Sequence, residues 1–212
     1  MTLARPAVLT AFIILLFGGA SPGPPLRAQA LVTASKVGDL SVFGGYTRSW
    51  PDYNPAQANG YTFGGDFTFL RLWRLDTGVE ARYDHTYTSA ITEHAILFGP
   101  RATIDYHRYH PYADFLIGTG GIAYNPPPYF SPNDHADGGV TLAAGGGVDI
   151  DLTPRFALKL DYQQQHINMG INPPFKPSGG NYTLTPQNVT VGLVYHFNVF
   201  GLSGLRKQRE LH

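Results

Sequence analysis

The chain has 212 residues, which is one domain or two small ones by length. It has no cysteine, so disulfides and thiolate metal sites are excluded, and its formal net charge of zero without a basic stripe argues against a nucleic-acid partner. The 25 Gly, 17 Pro, 13 Phe and 13 Tyr stand beside only 15 basic and 15 acidic residues, a composition that suits many short aromatic strands joined by turns.

The N-terminus has the pattern of an export signal. Arg5 precedes an apolar run from Ala7 to Ala20, and Ala28-Gln29-Ala30 offers a small-x-small cleavage site. The run is shorter than the roughly 20 residues that a membrane-spanning helix needs. We therefore expect residues 1–30 to be a signal peptide that is cleaved after Ala30.

Eight segments alternate between two kinds of residue with the two-residue period of a β-strand. In chain order they are residues 40–47, 61–70, 75–85, 96–106, 111–124, 140–152, 156–165 and 188–197. Residues 71–74 are expected to form a turn and 86–93 a loop, and Leu70 is assigned to the inner face. Pro100 lies within the fourth segment, and because proline donates no ladder hydrogen bond, a bulge or a local break in pairing is expected there.

Charge is confined to one face of these strands. The outer face has no Asp, Glu, Lys or Arg, whereas the inner face carries twelve charged residues: Asp66, Asp76, Glu80, Arg82, Asp84, Arg101, Asp105, Asp114, Asp149, Asp151, Lys159 and Asp161. A lipid-facing surface produces this exclusion, since Arg or Lys at mid-membrane costs about 2–4 kcal/mol. A soluble lipocalin-like barrel is disfavoured, because the charged face would then line its ligand cavity.

The connections follow a second rule, since those after the second, fourth and sixth strands are short and most of the others are longer. Membrane barrels have short periplasmic turns and longer external loops. Closure of the sheet also removes edges that lipid could not hydrate. The sequence therefore predicts an all-β fold, an eight-stranded antiparallel up-and-down transmembrane β-barrel preceded by a signal peptide. Aromatic residues at strand ends would form the interfacial girdles, as at Trp73, Tyr106, Tyr109, Tyr124 and Phe197.

The last strand places Thr190, Gly192, Tyr195 and Phe197 in a pattern that resembles the C-terminal insertion signal of bacterial outer-membrane barrels. With the strand pattern, residues 39–198 resemble the small barrel family typified by the transmembrane domain of outer-membrane protein A, the outer membrane protein β-barrel domain. The resemblance divides the chain into a signal peptide (1–30), a barrel (31–198) and a short basic C-terminal tail (199–212). Family members often stop at the terminal aromatic residue, so the tail is a departure from the family pattern.

The resemblance also implies partners and a location. The protein is expected in the cell outer membrane as a monomer, in contact with outer-membrane lipids and lipopolysaccharide. Periplasmic chaperones and the barrel-assembly machinery would insert it. No cofactor is implied.

An eight-stranded barrel has an interior that side chains can fill, and charges buried there need partners. We expect an interior polar network of Asp66, Glu80, Arg82, Arg101, Asp114, Asp149, Lys159 and Asp161. The two arginines are expected to pair with acids of the second, third and fifth strands, and Lys159 with Asp149 or Asp161.

No catalytic motif is present, and no His-x-Ser of the kind used by lipid A deacylases is found. His107 and His110 lie three apart in a turn but have no third metal ligand nearby in sequence, so no metal site is predicted. The expected function is a structural or membrane-integrity role, or surface interaction through the proline-rich loops at 125–138 and 167–185. A narrow gated pore that favours cations is the alternative, and a lipid A-modifying enzyme is the less favoured one.

Overall fold

The computed structural model describes residues 38–52, 57–89, 91–124, 136–169 and 183–197. The predicted signal peptide, the basic tail and most of the two proline-rich loops lie outside these ranges. Within them, no helix is long and apolar enough to cross a membrane.

The described residues form nine strands in one antiparallel sheet. They are β1 (Asp39–Trp50), β2 (Ala58–Leu72), β3 (Leu75–Tyr87), β4 (Ile91–Ile104), β5 (Tyr109–Tyr124), β6 (Ala136–Asp151), β7 (Phe156–Asn168), β8 (Thr183–Leu184) and β9 (Gln187–Phe197). The strand order is β6-β5-β4-β3-β2-β1-β9-β7, and β7 pairs back to β6, which closes the sheet. The two-residue β8 pairs with the end of β7 just before β9 begins. The predicted eight-stranded barrel is therefore confirmed, with β8 as a short addition.

Burial alternates along the strands as the two-residue period predicts. Side chains on the outer wall are large, apolar and exposed, as Phe63 (55%), Ile96 (60%) and Phe115 (53%) show. Their immediate neighbours turn inward, so Leu97 and Leu116 are buried. The wall therefore presents an apolar surface that lipid would cover.

Pro100 interrupts one of the two ladders of β4. Pairing with β5 runs as far as Phe98↔Ile117 and resumes at Arg101↔Asp114 in the same register, while pairing with β3 continues through Val79↔Pro100. The expected local break is therefore present, and it occurs without a bulge.

A register shift lies elsewhere, in β2 between Thr68 and Leu70. It sets Leu70 opposite Thr77 and Arg71 opposite Asp76. Directly opposed residues share a face, so the assignment of Leu70 to the inner face was wrong. Arg71 belongs to β2 and is not part of the turn, which shortens to Trp73 and Arg74.

The expected loop at 86–93 was also too long. β3 extends to Tyr87 and β4 begins at Ile91, and Thr86 donates a hydrogen bond to a buried Glu93 (3.3 Å). Polar residues that face the barrel interior have the composition of a loop, which is why the strands were predicted too short at this end.

Candidate functional site

The structure places all eight residues of the expected polar network on the inner wall. They come from the six strands β2 to β7, and they share the inner wall because every second residue of a strand points inward. Glu80 and Arg82 are two apart on β3, and Asp149 of β6 lies directly opposite Lys159 of β7. The other four are Asp66 on β2, Arg101 on β4, Asp114 on β5 and Asp161 on β7.

Arg101 of β4 joins three other strands. Its Nη1 donates to Glu80 Oε2 (2.9 Å) and its Nη2 to Asp149 Oδ2 (2.5 Å), while Asp66 Oδ2 is 3.5 Å from Nη1. Its guanidinium also lies 3.7 Å from the ring centroid of Tyr112. The side chain is 5% exposed, so these contacts replace the hydration that a buried charge has lost.

Arg82 crosses the interior from β3 to β7. Its Nη2 donates to Asp161 Oδ2 on β7 (2.7 Å), and its Nε lies 3.5 Å from Glu80 and 3.6 Å from Asp84. Glu80 therefore lies between Arg82 and Arg101. Because both arginines contact the same carboxylate, their ion pairs form one connected network.

Lys159 is fully buried and is held mainly by aromatic rings. Its Nζ lies 4.1 Å from the ring centroid of Tyr112 and 4.3 Å from that of Phe43, and 3.6 Å from Asp149 Oδ1. Within the described part of the chain, Nζ makes no hydrogen bond. Two cation–π contacts in a desolvated site compensate part of the missing hydration.

Asp114 has a different environment from the other acids. Gln163 Nε2 donates to both of its carboxylate oxygens (2.8 and 3.0 Å). Among the described residues, no Lys, Arg or His lies within 4.0 Å of it. The expected pairing of an arginine with Asp114 is thus not found, whereas pairings with Glu80 and Asp66 are.

Three further members of the interior were not singled out from the sequence: Phe43, Tyr112 and Gln163. Tyr112 donates to Asp161 Oδ1 (2.6 Å). The sequence does contain a signal for them, because inward-facing glycines lie directly opposite these large side chains and make room for them. A Cβ at Gly147 would lie 2.8 Å from Tyr112 Oη, and one at Gly64 would overlap the ring of Phe43. The glycines thus leave the space into which the rings lean.

Two small cavities flank the network. One of about 40 Å³ lies at the short-turn end and is lined in part by Asp66, Arg71 and Arg101. The other, of about 10 Å³, lies at the long-loop end and includes Asp84 and Gln165. The two share no lining residue. Beside the second cavity, a cluster of buried apolar side chains fills the lumen: Ile122, Ile167, Met169 and Leu184.

At the short-turn end, His110 lies between Asp105 (2.9 Å) and Asp151 (3.1 Å) and is hydrogen-bonded to both. His107 is exposed and has a positive φ of 58°. Among the described residues, no three His, Asp or Glu side chains are arranged to hold a metal ion.

The four residues of the expected insertion signal divide between the two faces of β9. Thr190 is buried and hydrogen-bonded to Thr47 (2.8 Å), and Gly192 lies directly opposite Gly45. Tyr195 and Phe197 belong to the outer face, where their ring centroids lie 4.9 Å apart.

A family model described as "Outer membrane protein beta-barrel domain" matches residues 12–197. Among solved structures, the chain is similar to the Neisserial surface protein A (NspA), with 14% identity and a TM-score of 0.52 over 74% of this chain and 97% of that one. It is also similar to Ail, the attachment invasion locus protein of Yersinia pestis, in complex with the heparin analogue sucrose octasulfate. That match has 16% identity and a TM-score of 0.50 over 76% of this chain and 99% of that one. No curated protein matches the chain.

Proposed function

Because the chain belongs to the outer membrane protein β-barrel domain family, which implies residence in the outer membrane, we propose that it is a closed, monomeric scaffold. It stabilises the membrane and presents its longer loops at the cell surface. Within this proposal it has no enzymatic activity. The signal peptide would direct export and be cleaved after Ala30, and N-terminal sequencing of the mature protein tests that position.

The observation that carries the proposal is the filled interior. Glu80 and Lys159 are 0% exposed. Arg82 crosses the lumen from β3 to β7, and Arg101 joins β4 to β6. A hydrated ion could pass only if these contacts separated. The eight-stranded barrel is of the size whose interior is filled by side chains.

The surface role is supported by the lengths of the connections. The turns at the end proposed to face the periplasm comprise residues 73–74, 105–108 and 152–155. At the other end, 88–90 is as short, but 125–135 and 169–182 are longer. NspA is a surface protein and Ail an attachment protein. At 14% and 16% identity, however, their likeness to this chain supports the fold alone. The role in surface interaction rests on these loops, as does contact with lipopolysaccharide.

A conductance measurement in planar bilayers tests the closed state. The parent protein is expected to give no steady conductance steps. The double variant Phe43→Ala/Lys159→Ala removes two large side chains from the lumen, so its folded fraction is expected to conduct. It serves as the control that the assay can detect an open barrel. Steady, cation-selective conductance by the parent would support the narrow pore instead.

The pore remains the second candidate because of the polar atoms in the lumen. Lys159 Nζ and Arg82 Nη1 are buried without a hydrogen bond among the described residues, so they could exchange partners at smaller cost than saturated groups.

A lipid A-modifying enzyme is the third candidate. Mass spectrometry of lipid A from cells with and without the protein tests it, and an unchanged profile is expected.

Loop and scaffold roles can be separated in cells. Replacing residues 126–134 with a short Gly-Ser linker is expected to abolish binding to surfaces while resistance to detergents stays normal. Deleting the whole protein is expected to impair both. If the loop variant binds as the parent does, the surface role is wrong.

The proposal also includes assembly by periplasmic chaperones and the barrel-assembly machinery. Thr190, Gly192, Tyr195 and Phe197 are proposed as the recognised signal, and the outward aromatic pair on β9 supports that role.

A further inference from the structure

The three short turns share one feature, an arginine immediately before the next strand. Arg74 precedes Leu75 of β3, Arg108 precedes Tyr109 of β5, and Arg155 precedes Phe156 of β7. All three arginines are exposed. They occupy equivalent positions in three successive hairpins along the same rim of the barrel.

The backbone holds each of these positions in the same way. The arginine carbonyl accepts a backbone hydrogen bond from a residue at the end of the neighbouring strand or directly after it: Asp105 N to Arg74 O (2.8 Å), Asp151 N to Arg108 O (2.8 Å) and His196 N to Arg155 O (2.9 Å). The ladder therefore extends into the turns. The three guanidinium groups are carried by fixed backbone rather than by free loops.

Charge is segregated at this rim. The nearby carboxylates face the lumen, where Asp76 pairs with Arg71, and Asp105 and Asp151 contact His110. By contrast, none of the three turn arginines forms a salt bridge with another described residue. The outer edge of the rim therefore carries positive charge that the interior acids do not neutralise.

Apolar surface lies directly beside this charge. Trp73 is 72% exposed, and the Arg74 guanidinium lies 5.2 Å from its ring centroid. Leu75, Tyr109 and Phe156, each next to one of the arginines, are exposed large side chains of the outer wall. Aromatic side chains with arginine at their edge suit the boundary between acyl chains and headgroups.

We propose that Arg74, Arg108 and Arg155 form a phosphate-binding rim that selects anionic phospholipids in the periplasmic leaflet. Short turns of outer-membrane barrels face the periplasm. Guanidinium groups bind phosphate oxygens, and their positive charge favours lipids of net negative charge over zwitterionic lipids with the same phosphate. The inference depends on membership of the barrel family and not on whether the barrel conducts, so its test is independent of the conductance test.

Tryptophan quenching by brominated lipids tests this proposal, because the chain has only two tryptophans. In protein purified from outer membranes and reconstituted in vesicles, Trp50→Phe leaves Trp73 beside the proposed site. Brominated phosphatidylglycerol is expected to compete for the wall around Trp73 several-fold better than brominated phosphatidylcholine. Removing one arginine by Arg74→Gln should lower that preference by up to about fivefold, which is the change in affinity for an anionic surface that one Lys or Arg contributes.

The triple variant Arg74→Gln/Arg108→Gln/Arg155→Gln is expected to lose the preference, and the triple Arg→Lys variant to keep most of it. Trp73→Phe leaves only Trp50, the last residue of β1, which lies at the long-loop end of the barrel and serves as the matched probe. The quenching of Trp50 should not respond to the triple change. In the Trp50→Phe protein with its three arginines intact, 1 M salt should weaken the preference, because the screening length falls to about 3 Å; this measurement holds even if the triple variant does not fold. Equal quenching by both lipids in that protein overturns the proposal, as does a preference that survives the triple change.

Discussion

Glu80→Gln is the substitution that examines the interior network most directly. It keeps the size of the side chain and removes the charge that Arg82 and Arg101 share. At an effective dielectric constant of about 20, a charge pair at the 2.9 Å separation of Arg101 and Glu80 attracts by about 6 kcal/mol. Relief of the carboxylate's desolvation offsets part of that loss. Since breaking a buried pair costs about 3–5 kcal/mol, we expect the free energy of unfolding to fall by about 3 kcal/mol.

Acids outnumber cations in the lumen, so removing one negative charge should also relieve repulsion. Glu80 decides between the two effects because it is 0% exposed and lies within 3.5 Å of both arginines. Short-range attraction to two cations exceeds the repulsion from carboxylates farther away. A stabilised Glu80→Gln variant would refute this reasoning.

Asp66→Asn is the matched control, because it makes the same chemical change at another partner of Arg101. The Asp66 side chain is 16% exposed and its oxygen lies 3.5 Å from the guanidinium, so solvent screens the pair and about 1 kcal/mol or less should be lost. Urea unfolding in lipid vesicles, followed by tryptophan fluorescence, measures both variants. Equal losses would show that burial does not set the strength of these pairs.

Other substitutions examine separate features of the barrel. Asp114→Asn should leave the free energy of unfolding unchanged or raise it, because the carboxylate has no cation within 4.0 Å among the described residues and an amide oxygen can still accept from Gln163; urea unfolding checks this. Pro100→Val supplies the missing donor at the break between β4 and β5, so it should stabilise by about 1 kcal/mol in the same assay. Tyr195→Ala/Phe197→Ala should lower the amount of heat-modifiable barrel in cells, while the refolded protein keeps its shifted band; equal amounts in cells would contradict a role in recognition.

The sequence was sufficient for the barrel because lipid imposes a strict rule on it. A charged residue on the outer wall is costly, so the alternation of Leu, Val and Phe with Asp and Arg identified the two faces of the strands, except at the end of β2. That rule concerns single residues and needs no knowledge of neighbours. For the same reason it missed the bulge beside Leu70, where one extra residue reverses the faces and leaves the composition unchanged.

Partners across the lumen could not be read from the sequence. The strand order predicts which strands are hydrogen-bonded neighbours, but Arg82 reaches Asp161 from β3 to β7, which do not pair with each other. Such contacts depend on side-chain length and on the space left by inward glycines. The aromatic environment of Lys159 was missed because Phe43 is an apolar residue on the charged face, where it was given no role.

The same contacts that hold the barrel together also limit conduction through it. A path along the lumen requires Arg101 and Lys159 to leave Asp149, and breaking a buried pair costs about 3–5 kcal/mol. With 1.4 kcal/mol for each factor of ten, an open state would have a population of about one in a hundred to one in several thousand. Any pore activity of the parent would then consist of brief, rare openings, whose frequency should rise in the less stable Glu80→Gln variant. A barrel that is closed for structural reasons alone would lose stability in that variant and remain silent.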